Sequence, residues 1–212
     1  MKIKIAGIGI QKRIILFFPI LIVLMGLTGC ISTVGKKYYQ LYLDEDPDSA
    51  AQVNGIQTGN GILLVESIEV EDIYDDYRVV YRTSPYQLNY YSYHFWIKKP
   101  RTLMRRCIID YFSKSKLFKE VVTGFSRGEP DFVLKAVVYN LEEYDQPGVW
   151  FAHLKMDIEV REYKSGQRVL LHSFDRHRRL AAKKVERVPV SISKILKEEL
   201  DKAAKKMVQV LK

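Results

Sequence analysis

The stretch VWFAHLKMDIEVREYKSGQRVLLHSFDRHRRL, residues 149–180, decides the fold. In both halves apolar and polar side chains alternate, which is typical of β-strands because successive side chains point to opposite faces of a sheet. The four residues KSGQ at 164–167 lie between the halves and predict a tight turn. The stretch therefore predicts an antiparallel hairpin with strands over 149–163 and 168–180.

Six more strands are predicted on the N-terminal side of this hairpin. The run at 62–70 opens with nearly continuous apolar residues, which favours a central position in the sheet. Residues 84–86 predict a hairpin turn, and residues 44–61, rich in Asp, Asn, Gly and Ser, predict a loop. The six predicted strands cover residues 36–43, 62–70, 77–84, 87–95, 117–123 and 131–144.

Two segments follow the helical period instead. After Pro100 the apolar residues recur every three or four positions, which predicts an amphipathic helix of about 16 residues. A second stripe follows Pro189 and predicts the last helix. The first stripe consists of Leu103, Met104, Cys107, Ile108, Tyr111 and Phe112, and the second of Ile192, Ile195, Leu196, Leu200, Ala203, Met207 and Leu211. The fold class is α+β, a largely antiparallel sheet with two amphipathic helices packed on one face.

The N-terminal segment predicts a processed anchor. Four basic residues among the first 13 precede an apolar run at 14–27, which would span roughly 21 Å as a helix and is short for a bilayer core of about 30 Å. This arrangement is typical of a secretory signal peptide. The run ends in LTGC at 27–30, which is similar to a bacterial lipobox and makes Cys30 the lipidation site. The alternative is an uncleaved anchor that contains a cysteine.

Three regions follow from this reading: a lipoprotein signal peptide at 1–29, a lipidated tether at 30–36 and a single α+β periplasmic domain at 37–212. Ile31, rather than aspartate, follows the cysteine, which favours the periplasmic side of the outer membrane. Loss of the four basic residues before Cys30 leaves 30 basic against 25 acidic residues, so the net charge falls from +9 to +5. An exported chain of this modest charge predicts no nucleic-acid partner.

No pattern predicts catalysis. Residues 124–128 match the G-x-S-x-G nucleophile elbow around Ser126, but that motif needs a helix after the serine, and here a strand is predicted. Cys107 lies on an apolar stripe and is predicted to be a core residue. The histidines at 94, 153, 172 and 177 lack the spacing of a helical zinc site. The sequence thus predicts a protein that is not an enzyme, with no metal and no cofactor.

Two stretches are candidates for partner binding. The aromatic run at 86–96 would present Tyr90 and Trp96 on one face of a strand and Tyr91 and Tyr93 on the other. We expect the Tyr90 and Trp96 face to contact a partner, and the alternative is ordinary core and edge packing. The basic segment at 175–187 is the second candidate, either a solvated strand end or a contact with an anionic surface. Its candidate residues are Arg176, Arg178 and Arg179.

Several segments together resemble a known family. YYQL at 38–41, the run ILLVESIEVEDIYDDYRVVYRTSPYQLNYYSYHFW at 62–96, and the helix followed by SKLFKEVV at 115–122 resemble the ABC-type transport auxiliary lipoproteins. These lipoproteins accompany MCE-type lipid transport systems. The resemblance covers most of the mature chain and is densest over 62–122.

The resemblance implies an accessory lipoprotein that docks to an MCE-domain protein and its permease and ATPase, and that assists lipid movement between membranes. One alternative is an outer-membrane assembly factor, a pilot or plug lipoprotein for another large complex. The other is an esterase that uses Ser126. The sequence leaves open whether the chain forms a homo-oligomer, and which lipid moves in which direction.

Overall fold

The computed structural model describes residues 35–44, 61–125 and 128–211. Cys30, Ser126 and most of the predicted loop at 44–61 lie outside the described residues. Within them the chain forms nine strands and two helices. In chain order these are β1 Lys37–Tyr39, β2 Ile62–Val65, β3 Glu69–Val70, β4 Arg78–Ser84, β5 Gln87–Trp96, α1 Pro100–Ser115, β6 Glu120–Val122, β7 Phe132–Gln146, β8 Val149–Glu162, β9 Arg168–Arg179 and α2 Arg187–Val210.

β8, the first strand of the predicted hairpin, makes the longest strand pairings in the sheet. β8 is antiparallel to β7 on one side and to β9 on the other along nearly its whole length. The β8–β9 turn contains Gly166 with φ of +69°, a conformation that side chains other than glycine rarely adopt. β4 and β5 form a second hairpin, with the turn at Pro85 and Tyr86. The longest pairings are therefore antiparallel, as predicted.

The other edge of β7 makes the sheet mixed. β2, β3 and β4 pair with it one after another, all parallel, so the chain from 62 to 84 follows β7 in the same direction. β2 also has β6 on its far side, again parallel. The consecutive β2 residues Leu63, Leu64 and Val65 are all buried, so both faces of the strand are covered, which explains the nearly continuous apolar start of the 62–70 run.

Both helices cover the same face of the sheet. α1 packs against β2, β3 and β6, and α2 packs against β7, β8 and β9. The Tyr111 hydroxyl donates to the Asp201 carboxylate at 2.8 Å and joins the two helices. α1 has the predicted bounds, and α2 begins at Arg187, with Pro189 in its first turn, where a missing N–H breaks no helical hydrogen bond.

The strands β8 and β9 separate an apolar face from a polar one. Leu154, Met156 and Ile158 of β8 are completely buried beneath the helices. Lys155, Asp157 and Glu159 alternate with them and point to the opposite face, which we call the open face. The side chains of the candidate site described below divide between these two faces.

Candidate functional site

The aromatic run does not present the two predicted residues together. Trp96 is 2% exposed and belongs to the hydrophobic core, so the prediction that it contacts a partner is wrong. Between the pairs Val80–Tyr90 and Arg78–Phe95, β5 advances five residues while β4 advances two. This irregularity breaks the strict alternation of side chains, and the face of Trp96 does not follow from the face of Tyr90.

The remaining tyrosines of the run differ in environment. Tyr90 is half-buried, its hydroxyl donates to the Ile73 carbonyl at 3.0 Å, and the Arg78 guanidinium lies 4.0 Å from its ring centre. Tyr91 is half-buried and its hydroxyl donates to Glu143 at 2.6 Å. Tyr93, predicted to lie opposite the face that contacts a partner, is 47% exposed, whereas Trp96 of the predicted contact face is buried.

An exposed aromatic surface lies where β5 meets the first strand. Tyr38 of β1 is 62% exposed, and its ring centre lies 5.7 Å from that of Phe95, its direct partner on β5. The Lys36 ammonium lies 5.4 Å from the centre of the Phe95 ring. We call Lys36, Tyr38 and Phe95 the β1–β5 patch. Aromatic rings together with cationic side chains are the composition expected at a contact surface.

The basic segment is largely used within the molecule. Arg176 lies 3.2 Å from Glu199, and Arg178 pairs with Glu198 at 2.5 Å, and both acids belong to α2. Arg179 points to the open face and is exposed. The arginines differ because successive side chains of a strand point to opposite faces of the sheet. Arg176 and Arg178 therefore point toward α2, and Arg179 points away from it. The three arginines therefore do not form one basic surface.

A buried ionic cluster joins β7, β8, β4 and the segment just before β4. The Glu142 side chain is fully buried and accepts hydrogen bonds from Tyr74 at 2.7 Å, Arg82 at 2.8 Å and His153 at 2.9 Å. Burial alone would raise the pKa of Glu142, but these hydrogen bonds outweigh it and lower the pKa. Glu142 is therefore a buried carboxylate at neutral pH.

The cluster continues to the surface along one row of the sheet. Glu142, His153 and His177 are direct cross-strand partners on β7, β8 and β9. The two imidazoles stack with ring centres 3.8 Å apart, and His153 Nε2 lies 2.9 Å from Asp175 Oδ1. Burial and the neighbouring His153 lower the pKa of His177. His153 is nearly buried, whereas Asp175 and His177 reach solvent.

Sequence reasoning missed this grouping because its residues are far apart in the chain. Asp175 and His177 are two residues apart on one strand and face the same side, while His153 comes from the next strand. The register of the 149–180 hairpin places position 153 opposite 177, but an irregularity between Val160 and Arg161 contributes to that register, so the position of the turn alone does not predict the pair. His172 has a different role: on the helix face, it bonds Glu199 of α2 at 2.9 Å.

The other sequence candidates for chemistry are accounted for by packing and position. Cys107 is buried, as predicted, and burial raises the pKa of its thiol to about 12, so it stays protonated and unreactive. Ser126 lies outside the described residues. The chain described after it, from Gly128 to Asp131, is not helical and leads directly into β7. The helix that a nucleophile elbow requires is therefore lacking there.

The fold, a mixed sheet covered on one face by two helices, defines an α+β domain. The chain belongs to the family of ABC-type transport auxiliary lipoprotein components, whose model matches residues 39–204. No curated protein sequence matches it. No helix within the described ranges is long and apolar enough to cross a membrane.

Solved structures share this fold. A Xanthomonas campestris protein assigned to DUF330 superimposes with a TM-score of 0.66 at 15% identity, covering 82% of this chain and 98% of its own. A hypothetical protein from Chlamydia trachomatis gives a TM-score of 0.50 at 7% identity, covering 70% of this chain and 98% of its own. At these identities the likeness establishes the fold alone.

Proposed function

We propose that the chain is a lipid-anchored accessory component of an ABC/MCE-type transport system and acts by docking to the transport complex, without catalysing a reaction. Membership of the auxiliary lipoprotein family carries the proposal, because the match spans nearly all of the described domain. The partners we propose are the MCE-domain protein and the associated permease and ATPase, and the process assisted is lipid movement between membranes.

The proposed anchor is Cys30, on the periplasmic side of the outer membrane. Two or more acyl chains on the mature N-terminus would give stable membrane attachment, which one chain alone does not. Cys30→Ala removes the sulfur that accepts the lipid. The variant should accumulate as an unprocessed precursor without the acyl mass in intact-protein mass spectrometry, and normal maturation of this variant would refute the anchor.

The proposed docking surface is the β1–β5 patch. Tyr38 follows Cys30 by eight residues, so an extended tether of about 3.5 Å per residue keeps the patch within roughly 28 Å of the membrane anchor. Tyr38 is largely exposed, and its replacement leaves the buried core untouched. This surface takes the place of the predicted Tyr90 and Trp96 face.

Capture from solubilised membranes tests the function and the surface together. The tagged wild-type protein should co-purify with the MCE-domain protein, the permease and the ATPase. Tyr38→Ala should reduce this recovery at least fivefold, about 1 kcal/mol, as expected for an aromatic interface anchor. Tyr86→Ala is the matched control, since Tyr86 is 97% exposed at the tip of the β4–β5 hairpin.

Two results would contradict the proposal in different ways. Recovery of a secretion or pilus complex in place of the transporter would favour the pilot or plug alternative. Recovery of the transporter with equal yield from wild type and Tyr38→Ala would keep the function but remove the β1–β5 patch as the docking surface, with Arg179 on the open face next to be replaced.

A further inference from the structure

The row of side chains on the open face has the geometry of a metal site. His153 and His177 are directly opposite on antiparallel strands, and Asp175 precedes His177 by two residues on the same face. One ligand atom from each of the three lies within 4.8 Å of the others. Tetrahedral ligand atoms about 2 Å from a metal are about 3.3 Å apart, so the three atoms would have to move closer. The exposed His177 ring, stacked on His153 with 13° between the ring planes, would also have to turn until both lone pairs point at one ion.

The contact of His153 with Glu142 leaves its second ring nitrogen facing Asp175. Glu142 is a carboxylate and only accepts, so His153 Nδ1 donates to Glu142 Oε1 over 2.9 Å. In a neutral imidazole the other nitrogen, Nε2, then carries a lone pair, and it lies 2.9 Å from Asp175 Oδ1. Two lone pairs at this distance repel each other unless a proton or a metal ion lies between them.

Glu142 supplies the support that metal-binding histidines usually have. Such histidines donate their second ring N–H to a carboxylate or carbonyl, which fixes the ring and its tautomer. Glu142 is itself held by Arg82 and Tyr74, and its side chain is fully buried. The ring of His153 is therefore fixed from behind, with Nε2 directed toward the surface.

We propose that His153, Asp175 and His177 bind one divalent transition-metal ion, with Glu142 as the positioning residue for His153. Two imidazole nitrogens and one carboxylate oxygen suit Zn²⁺ and its borderline relatives better than Ca²⁺ or Mg²⁺, which prefer oxygen ligands. Asp175 and His177 are each nearly half-exposed, so an ion can enter from solvent. The fourth position is left to water.

Lys155 is the competing cation in this site. Its ammonium lies 3.5 Å from Asp175 Oδ2 and balances part of the carboxylate charge. A bound metal would replace that interaction. Removing the ammonium should therefore strengthen metal binding, whereas a purely structural role of the three residues predicts no such gain.

The test is a titration of the full chain in detergent, purified through a histidine-free tag and stripped with chelator. Co²⁺ should bind at one equivalent per chain and give the visible absorption of a four-coordinate site, and Zn²⁺ should displace it. His177→Ala and Asp175→Asn should each lower Zn²⁺ affinity at least tenfold, Lys155→Gln should raise it, and His94→Gln, the matched histidine control, should leave it unchanged.

Circular dichroism of each variant shows whether it is folded, so that loss of metal binding can be distinguished from unfolding. Asp175→Asn preserves shape and replaces a side chain that is 48% exposed, so this variant should fold like wild type. If folded Asp175→Asn and His177→Ala bind Zn²⁺ as tightly as wild type, or if His94→Gln abolishes binding, the proposed site is wrong. Failure here leaves the docking function intact, because capture of the transport complex is measured separately.

Discussion

Two adjacent glutamates show how much local partners matter at the scale of one residue. Glu142 and Glu143 are both buried toward the C-terminal end of β7. Glu142 receives hydrogen bonds from Arg82, His153 and Tyr74, and its pKa is lowered. Burial and the nearby Asp145 raise the pKa of Glu143 to about 8, and one hydrogen bond from Tyr91 does not offset them. One side chain is therefore ionised at neutral pH, and the other is largely protonated.

Glu143 makes stability depend on pH. Its pKa rises from 4.5 to about 8 on folding, so between these values the folded state binds more protons than the unfolded state. Stability supplied by this group is complete below pH 4.5 and is lost as the pH rises toward 8. Glu143→Gln removes the titration, so its stability relative to wild type should increase from pH 5 to pH 8 by at least about 1.4 kcal/mol, one pKa unit.

Urea unfolding of both proteins at pH 5, 6.5 and 8 measures this difference. Glu66→Gln is the control, because Glu66 is partly exposed and only pairs with Lys135 at 3.3 Å. Its difference from wild type should stay constant over the same range. A constant difference for Glu143→Gln as well would show that Glu143 is ionised in the folded protein.

The sequence indicates that acidic residues are buried in β7, but it does not predict which residues pair with them. Two consecutive acids, Glu142 and Glu143, follow a long apolar run within one strand and put one carboxylate on each face. Tyr74 and Arg82, however, come from the segment around β4, which reaches Glu142 only through the parallel pairing with β7. Periodicity within one segment carries no information about such pairing.

At the scale of elements, regular periodicity was sufficient where the element itself is regular. The bounds of α1 and of the β8–β9 hairpin follow from their patterns because each buries one continuous face. β5 differs, since its pairing with β4 is irregular between Tyr90 and Phe95, and the alternation of faces is not maintained across that stretch. A local change of register between two strands cannot be predicted from the spacing of tyrosines in one of them.

The corrected position of Trp96 gives a prediction for β5. Trp96→Ala removes a large, fully packed side chain and should lower the free energy of unfolding by about 3–5 kcal/mol. Tyr86→Ala, at the exposed tip of the same strand pair, should change it by less than about 0.5 kcal/mol. Urea denaturation followed by circular dichroism measures both. Equal stabilities would place Trp96 on the surface.

The stripe of α1 gives a second prediction at this scale. Leu103 is buried in the hydrophobic core, so Leu103→Asp places a carboxylate among apolar side chains and should cost at least about 3 kcal/mol. Thr102→Asp adds the same charge on the exposed side of the same helical turn and should be nearly neutral or slightly stabilising. Thermal melting of the two variants compares them. Similar melting temperatures would mean that the stripe does not face the core.

At the scale of the whole molecule, the fold class followed from the sequence, but the mixed sheet did not. Hairpin turns are local and predict antiparallel pairs, whereas β2, β3 and β4 reach β7 across long segments of chain. β8 pairs with one edge of β7, and β2, β3 and β4 pair with the other, so β7 has a partner along both edges. The core that results is continuous from Leu41 to Val208.

This continuous core predicts that the domain folds without its anchor. Residues 36–212 form one compact unit, and the described hydrophobic core lies within it. A chain beginning at residue 31 should therefore be soluble, unfold cooperatively and melt within about 2 °C of the lipidated protein in detergent. A chain beginning at residue 41 lacks β1, leaves the β5 edge unpaired beside Trp96, and should melt at a clearly lower temperature, since unpaired edge groups and uncovered apolar surface both destabilise it. Non-cooperative melting of the chain that begins at residue 31 would show that the segment before it is needed for folding. Identical melting temperatures of the two chains would show that β1 contributes nothing to stability.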